Sequence, residues 1–429
     1  VLLPAIAAAY TALTVFLGPF FVYMGLITLT ALRRRAGASA PAGVVRRAGV
    51  DPPRFLVVIP AHDEEDGIRG TVASCLAVDY PTDRVTVCVV ADNCSDRTAA
   101  VARDAGALVV ERHDPDRRGK GYALDFLFNR APQAVGLGGY DAAVVVDADT
   151  VVDAGLLNAF ADALARGGQW LQCYNAVDDP GGSWRTRLLT YAFSLINGVW
   201  LLGQEGLGMG VALRGNGMCF TTAALARVDW EGHGLAEDAE FSWVLRLRGE
   251  RARFVPEACV RSEMLARFGP AAAEQRRRWE WGRRSLRRDF LVPLLRSRRL
   301  TPRLKLLYLL DLLFPPMVTL LLLWGASLTV YVGAAWDARL LPVSWELLPA
   351  HALTAAALGL YALSPVFVLG LPARYLLCLL DLPFYAAWKA VVFREGKPTG
   401  WTRTPRERQR QRAGSASAVG APRPDFNGT

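Results

Sequence analysis

No charged residue interrupts the chain from Val1 to Leu32, and Arg33, Arg34 and Arg35 follow at once. About 20 apolar residues suffice to cross a hydrocarbon core, so this run predicts a transmembrane helix. A cleaved leader is the other reading, since Ala38-Ser39-Ala40 resembles a processing site. The run is too long for a leader, however, and its positive charges lie behind it rather than ahead. The same arginines predict the N-terminus outside and Arg33 inside. The chain opens on Val1, which leaves room for residues upstream. A basic linker, residues 33–54, follows the run.

Between Phe55 and Arg298 the pattern changes. Short apolar runs, Phe55–Ile59, Val85–Val90, Ala107–Val110 and Ala142–Val146, each give way to a polar turn and a helical pattern. Uninterrupted apolar strands of this kind predict a parallel sheet covered on both faces, an α/β domain spanning residues 55–298. Ligands of such sheets bind beyond the carboxyl ends of the strands.

Two further apolar blocks follow. Residues 304–313 read as an interfacial approach, 317–336 as a second span and 347–371 as a third. Arg298, Arg299, Arg303 and Lys305 before the second, and Arg374 after the third, mark the cytoplasmic side. Residues 374–393 contain Asp381, Pro383 and Lys389, and a span there would send Arg403, Arg406, Arg408, Arg410 and Arg412 outward. An amphipathic helix lying in the headgroup region fits better. Residues 394–429 are basic and rich in Gly, Ala, Ser and Pro, the composition of a disordered tail.

Composition then narrows the class. With 52% hydrophobic and 21% charged residues among 429, the chain is neither disordered nor fibrous. Its seven cysteines lack a metal-binding spacing and fit a reducing compartment. The net charge of +9 would suit nucleic acid, but the basic residues crowd the ends of apolar segments. The partner they predict is a membrane surface and not a nucleic acid.

Acidic residues collect where the strands end. The first strand runs into Pro60-Ala61-His62-Asp63-Glu64-Glu65, the second into Asp92-Asn93-Cys94-Ser95-Asp96, and a later one into Asp147-Ala148-Asp149. Glu237 and Asp238 open a helical pattern further on. Any one of these alone is as well explained by a helix cap. In series along one ligand edge they must bind a divalent cation or repel one another. Asp147 and Asp149, two residues apart on an extended segment, are expected to face one metal–diphosphate unit. Asp92 is placed to read a base or ribose, and Lys120, between Gly119 and Gly121, offers a point charge to a phosphate. Gln275-Arg-Arg-Arg-Trp279 reads either as a basic interfacial helix or as a diphosphate clamp, with Arg278 on the phosphates and Trp279 stacked on a sugar.

In this order the motifs resemble those of the family 2 glycosyltransferases of the membrane-embedded cellulose, chitin and hyaluronan synthase type. The resemblance runs from about Phe55 to Trp279 and takes in the flanking helices. It implies a GT-A, Rossmann-like catalytic domain, a nucleotide-sugar donor (UDP-linked), Mg²⁺ or Mn²⁺, and inversion at the anomeric carbon. It implies that Asp92, Ala61 and Glu64 line the nucleobase pocket. Asp147 and Asp149 would straddle ribose and metal, Asp149 being the firmer ligand, with Lys120 near the donor phosphates. Asp238 would be the catalytic base with Glu237 beside it, while Gln275, Arg278 and Trp279 close over the diphosphate and acceptor. Ala236 stands where a threonine is usual, His62 where an aromatic residue is, and the helices are fewer than a polymer channel usually has.

The function so implied is transfer of a sugar to a hydroxyl acceptor at the cytoplasmic face of the cell membrane, in polysaccharide synthesis. Single transfer to a lipid-linked acceptor is the alternative, and a membrane-tethered nucleotide-binding scaffold is the non-enzyme reading. A scaffold would have no use for a base at Asp238. Partnership with a second copy or an export protein stays open.

Overall fold

The structure is a computed structural model that describes residues 2–36, 51–265, 269–336 and 341–393. Most of the expected linker, including Ala38–Ala40, and the whole expected tail from 394 lie outside the described residues.

Helix α1 (Leu2–Ala36) precedes strands β1 (Phe55–Ala61), β2 (Val85–Asp92), β3 (Leu108–Arg112) and β4 (Ala142–Val145), interleaved with α2 (Ile68–Leu76), α3 (Thr98–Asp104) and α4 (Lys120–Asp125). Then come β5 (Thr150–Val152), α5 (Leu156–Ala165), β6 (Trp170–Val177), α6 (Trp184–Phe193), α7 (Trp200–Gly206), β7 (Met218–Thr221), α8 (Thr222–Leu225), α9 (Glu237–Arg248) and β8 (Arg253–Ser262). The chain ends in α10 (Pro270–Arg296), α11 (Pro302–Leu313), α12 (Met317–Trp336), α13 (Leu341–Leu369), a 3-10 stretch Ala373–Asp381 and α14 (Leu382–Phe393).

The eight strands form one sheet in the order β3-β2-β1-β4-β7-β6-β8-β5. Only the β3-β2-β1-β4 half is uniformly parallel. The four strands read from the sequence are thus parallel as expected, but the sheet extends beyond them and is mixed, because β7 runs antiparallel to both β4 and β6, and β5 antiparallel to β8. The reason is where the chain enters β7. Met218, its first residue, pairs with Val145 at the carboxyl end of β4, so the 214–217 loop feeding it lies on the ligand edge.

Strand residues alternate between two apolar cores. Phe55, Val57 and Ile59 pack with Ile68, Val72, Ala102 and Phe160 of α2, α3 and α5. Leu56, Val58 and Phe220 face the other way, into a cluster that runs on without a break to Phe21, Tyr23, Met24 and Ile27 of α1. One face of the sheet is thus closed by α2, α3 and α5, and the other by helices such as α4, α6 and α7, onto which α1 packs in turn.

Among the described residues, three helical segments are long and apolar enough to cross a membrane: Tyr10–Arg35, Trp345–Leu369 and Ala373–Val392. Pro302–Leu313 and Met317–Gly333 pass that test together but meet at 86°. The segment ending in α14 is amphipathic in the opposite sense to a helix floating on water. Leu377, Leu380, Phe384 and Val391 are 60–74% exposed, whereas Lys389 is 3% exposed and paired with Glu280 of α10 at 2.8 Å.

Candidate active site

The carboxyl edge of the sheet gathers Lys120, Asp147, Glu237 and Asp238. Lys120, the first residue of α4, donates to Asp147 Oδ1 at 2.5 Å and to the carbonyl of Gly215, and lies 3.8 Å from Glu237 Oε1. Gly121 allows this approach, since a Cβ there would stand 2.2 Å from the carbonyl oxygen of Gly232. Gly215 has φ +78°, and a Cβ on it would come within 3.1 Å of Asp238 Oδ2 and 3.3 Å of Lys120 Nζ. The carboxylate, the ammonium and this backbone therefore share one small volume.

Glu237 and Asp238 begin α9, where the helix dipole favours acidic side chains. Glu240 fastens the approach by accepting from the backbone N–H groups of His233 and Gly234. Burial nevertheless dominates at the first turn. It pushes Glu237 up to about 7, with repulsion from Asp238 adding to it, and raises Asp238 against the opposing pull of Lys120. Burial works against the Lys120 ammonium too, but Asp147 and Glu237 hold its pKa above the ordinary lysine value.

Asp147 and Asp149 do not lie on an extended segment as expected. They flank a turn closed by Thr150 N–H donating to the Asp147 carbonyl at 3.2 Å, because β4 ends at Val145 and the chain bends here toward β5. Both side chains are half-buried on either side of buried Ala148. Two carboxylates so placed suit a Mg²⁺- or Mn²⁺-like ion that completes its coordination with phosphate oxygens and water. Among the described residues, the one set of three potential ligand atoms within 4.8 Å of each other is instead Asp63, Cys94 and Asp96.

At the β1–β2 end the acids are engaged internally. Asp92 is 5% exposed at its side chain and pairs with Arg112, while accepting from the N–H of Gly119 at 3.3 Å and the Asn93 amide at 3.0 Å. Ala61 ends β1 and is buried, and the buried Glu64 starts α2 by accepting from the N–H groups of Gly67 and Ile68 at its carbonyl. Asp63 accepts from Ser95, and its carboxyl is held below the usual range, burial opposing the Ser95 hydrogen bonds and His62 that prevail.

On α10, Gln275 and Arg278 are half-buried, and neither has a hydrogen-bond or ion-pair partner among the described residues. The Arg278 guanidinium is pushed down by burial and drawn back up by the negative charges of Glu237 and Glu274. Gly282 seats this helix against Ala236, where a Cβ would lie 2.6 Å from that of Ala236. Trp279, about 100° further round the helix, is 40% exposed and joins none of these contacts among the described residues.

Residue patterns alone did not single out the supports beneath the site. Asn216, 1% exposed, accepts from the Asp147 N–H at 3.1 Å and donates to Thr150 and Ser262. Fully buried Gln172 donates to the Asn216 carbonyl and accepts from the Arg214 N–H, both at 2.8 Å. Arg112 was missed as well, although the strand register sets it directly beside Asp92.

Residues 52–282, just over half of the chain, match the family described as "Glycosyltransferase like family 2". The chain is 25% identical over 297 residues to poly-beta-1,6-N-acetyl-D-glucosamine synthase of Staphylococcus aureus, covering 64% of this chain and 63% of that one. Over a shorter stretch of 79 residues it is 35% identical to "Probable glycosyltransferase YdaM" of Bacillus subtilis, 17% of this chain and 19% of the relative. The chain thus spans less than two thirds of these curated relatives. Among solved structures, a mannosyltransferase from Pyrobaculum calidifontis, in complex with GDP-Man and Mn²⁺, superposes with a TM-score of 0.52 at 19% identity, over 91% of this chain and 99% of its own. That likeness is one of fold, and it takes in the flanking helices as well as the sheet.

Proposed function

Because the chain belongs to the family 2 glycosyltransferases, we propose that it moves a sugar from a nucleoside-diphosphate donor to a hydroxyl acceptor at the cytoplasmic face of a membrane, inverting the anomeric carbon. The observation that carries this reading is the half-buried Glu237–Asp238 pair facing Lys120, Asp147 and Arg278. A carboxylate whose pKa is raised by burial is suited to accept a proton near neutral pH. Asp238 takes the acceptor's hydroxyl proton as that oxygen attacks the anomeric carbon. The bond from that carbon to the diphosphate breaks, and the nucleoside diphosphate leaves. Lys120, Arg278 and Gln275 offset the charge developing on the leaving group. Asp149 and Asp147 would hold a Mg²⁺ or Mn²⁺ ion, which supplies further charge compensation to the diphosphate. Asp92 shapes the nucleobase pocket with Ala61 and Glu64 by anchoring Arg112 and the Gly119 backbone. Trp279 offers an exposed ring on which an acceptor sugar can stack.

Similarity to the staphylococcal synthase supports polysaccharide synthesis, and a UDP-linked donor is what the motif resemblance implies. A second reading, one transfer to a lipid-linked acceptor, is favoured by Arg278, whose buried Nε has no hydrogen-bond partner among the described residues. Membranes containing the full chain, incubated with labelled UDP- and GDP-sugars, should convert one donor, and a chelator should abolish the product until Mg²⁺ or Mn²⁺ is restored. Product size separates polymer from single transfer. Failure with every donor would overturn the reading, and transfer insensitive to chelation would remove the metal from it.

A further inference from the structure

Between α7 and β7 the chain runs as a strap, residues 210–214, that is neither helix nor strand. The strap is largely buried, so its backbone groups need partners that no regular ladder supplies. Side chains from four elements supply them. Gly210 N–H donates to Tyr308 Oη of α11 at 3.1 Å, and Ala212 N–H to Gln204 Oε1 of α7 at 3.1 Å. Leu213 N–H donates to Ser242 Oγ of α9, and Arg214 N–H to Gln172 Oε1 of β6, both at 2.8 Å. The Gly210 carbonyl accepts from Arg246 of α9, through Nη2 at 3.0 Å and Nε at 3.3 Å.

Two of these holders converge on one carboxylate. Asp311 of α11 accepts from Gln204 Nε2 at 3.1 Å and pairs with Arg246 Nη1 at 2.9 Å. A carboxylate only accepts, so it turns the Gln204 amide with its oxygen toward Ala212. The buried Arg246 guanidinium lies 4.8 Å from the centroids of both the Trp243 and Tyr308 rings, and Asp311 fixes it there.

The strap leads straight into Gly215, where it meets the reacting groups. The Gly215 carbonyl accepts from Lys120, and a Cβ on this residue would stand 3.1 Å from Asp238 Oδ2. Ser242, which holds Leu213, also donates to the Asp238 carbonyl at 2.9 Å. A displaced strap would therefore disturb the Lys120 ammonium and the Asp238 carboxylate together.

We propose that Asp311 is a positioning residue for the transfer. Through Gln204 and Arg246 it fixes the strap, and the strap sets Gly215 against Lys120 and Asp238. This rests on the transferase reading and adds to it a residue outside every motif that suggested the site.

The test uses the full chain purified in neutral detergent. Hydrogen exchange reports on the strap, and turnover is counted per site that binds UDP or GDP with Mn²⁺, so unfolded protein drops out of the count. Asp311→Asn keeps an oxygen for Gln204 but loses the charge that holds Arg246. Gln204→Met removes the tie to Ala212 and leaves the ion pair, and it carries the same test where Asp311→Asn fails to fold. In both, peptides covering 210–214 should exchange about tenfold faster, the equivalent of roughly one lost hydrogen bond. Turnover per site should fall about tenfold or more while nucleotide affinity stays within about twofold. Tyr23→Phe is the control, because Tyr23 donates to the same carboxylate at 3.3 Å but bonds to none of residues 210–214. It should leave both readouts unchanged. Unaltered strap exchange in Asp311→Asn and Gln204→Met overturns the coupling. Faster exchange with unchanged turnover per site overturns the catalytic role, as does loss of nucleotide affinity in step with turnover. Equal effects in Tyr23→Phe reduce Asp311 to a packing hub. If the unaltered chain binds neither nucleotide and converts no donor, the transferase reading fails instead, while exchange still decides whether Asp311 holds the strap.

Discussion

At the β1–β2 end of the ligand edge, Asp92 is neutralised by Arg112, Asp63 is held by Ser95, and Asp96 caps α3 through Thr98. At the α9–α10 end, Glu237 and Asp238 crowd one lysine that Asp147 already occupies, and Arg278 faces them with no partner of its own. Both ends carry acidic residues at strand or helix termini, and in the sequence they look alike. The first set satisfies itself and shapes a pocket. The second is electrostatically unfinished, and a donor diphosphate, a cation and an acceptor are what would complete it. Acidic residues at a ligand edge are thus best sorted by whether the protein supplies their partners.

The sharpest way to break this contrast is Asp238→Asn. The amide keeps the shape and the helix start but cannot accept a proton, so turnover should fall by roughly 10²–10⁴-fold. Because burial disfavours the carboxylate, the melting temperature should hold or rise. Unchanged turnover would make Asp238 a helix-capping residue and move it into the first set.

Asp92→Ala should show the opposite profile. It leaves Arg112, 6% exposed, with the half-buried Asp114 and the Arg117 carbonyl as partners but without its buried carboxylate, and removal of one member of a buried pair costs about 3 kcal/mol or more. Urea unfolding of the solubilised chain would measure it. A variant of normal stability that no longer binds the nucleotide would place Asp92 in direct contact with the base.

The difference between these ends was only partly legible in the sequence. The strands and their acidic termini follow from local pattern, and residues such as Asp92, Lys120 and Asp147 could be named from it. The direction of β7 is set instead by distant segments, so the position of Arg214–Gly217 under Asp147 and Asp238 could not be read. Asp311 shows the same limit. It interrupts an apolar block, yet it is the common acceptor for Tyr23, Trp200 and Gln204 and the ion-pair partner of Arg246 at 2.9 Å. Lys389 counted in the sequence only as a charge against a span, and its partner Glu280, on another helix, has no local signal.

The smallest effect tests whether the unfinished end titrates as a unit. In Glu237→Gln, Asp238 keeps its burial but loses one negative neighbour. The wild-type pair must release a proton before Asp238 can act, and with Glu237 near 7 the rate should fall as pH drops through that region. The substitution should therefore move the acid limb of kcat/KM to lower pH at saturating metal. Stability should follow with a definite sign. A carboxyl whose folded pKa is raised stabilises the fold below its ordinary value of 4.5, and that contribution is lost as pH rises through about 7. Melting temperatures of wild type should thus drop relative to Glu237→Gln between those limits and run parallel to it above them. If neither the limb nor the melting difference moves with pH, Glu237 does not share the titration of Asp238. The contrast between the two ends would then rest on Asp238 and Arg278 alone.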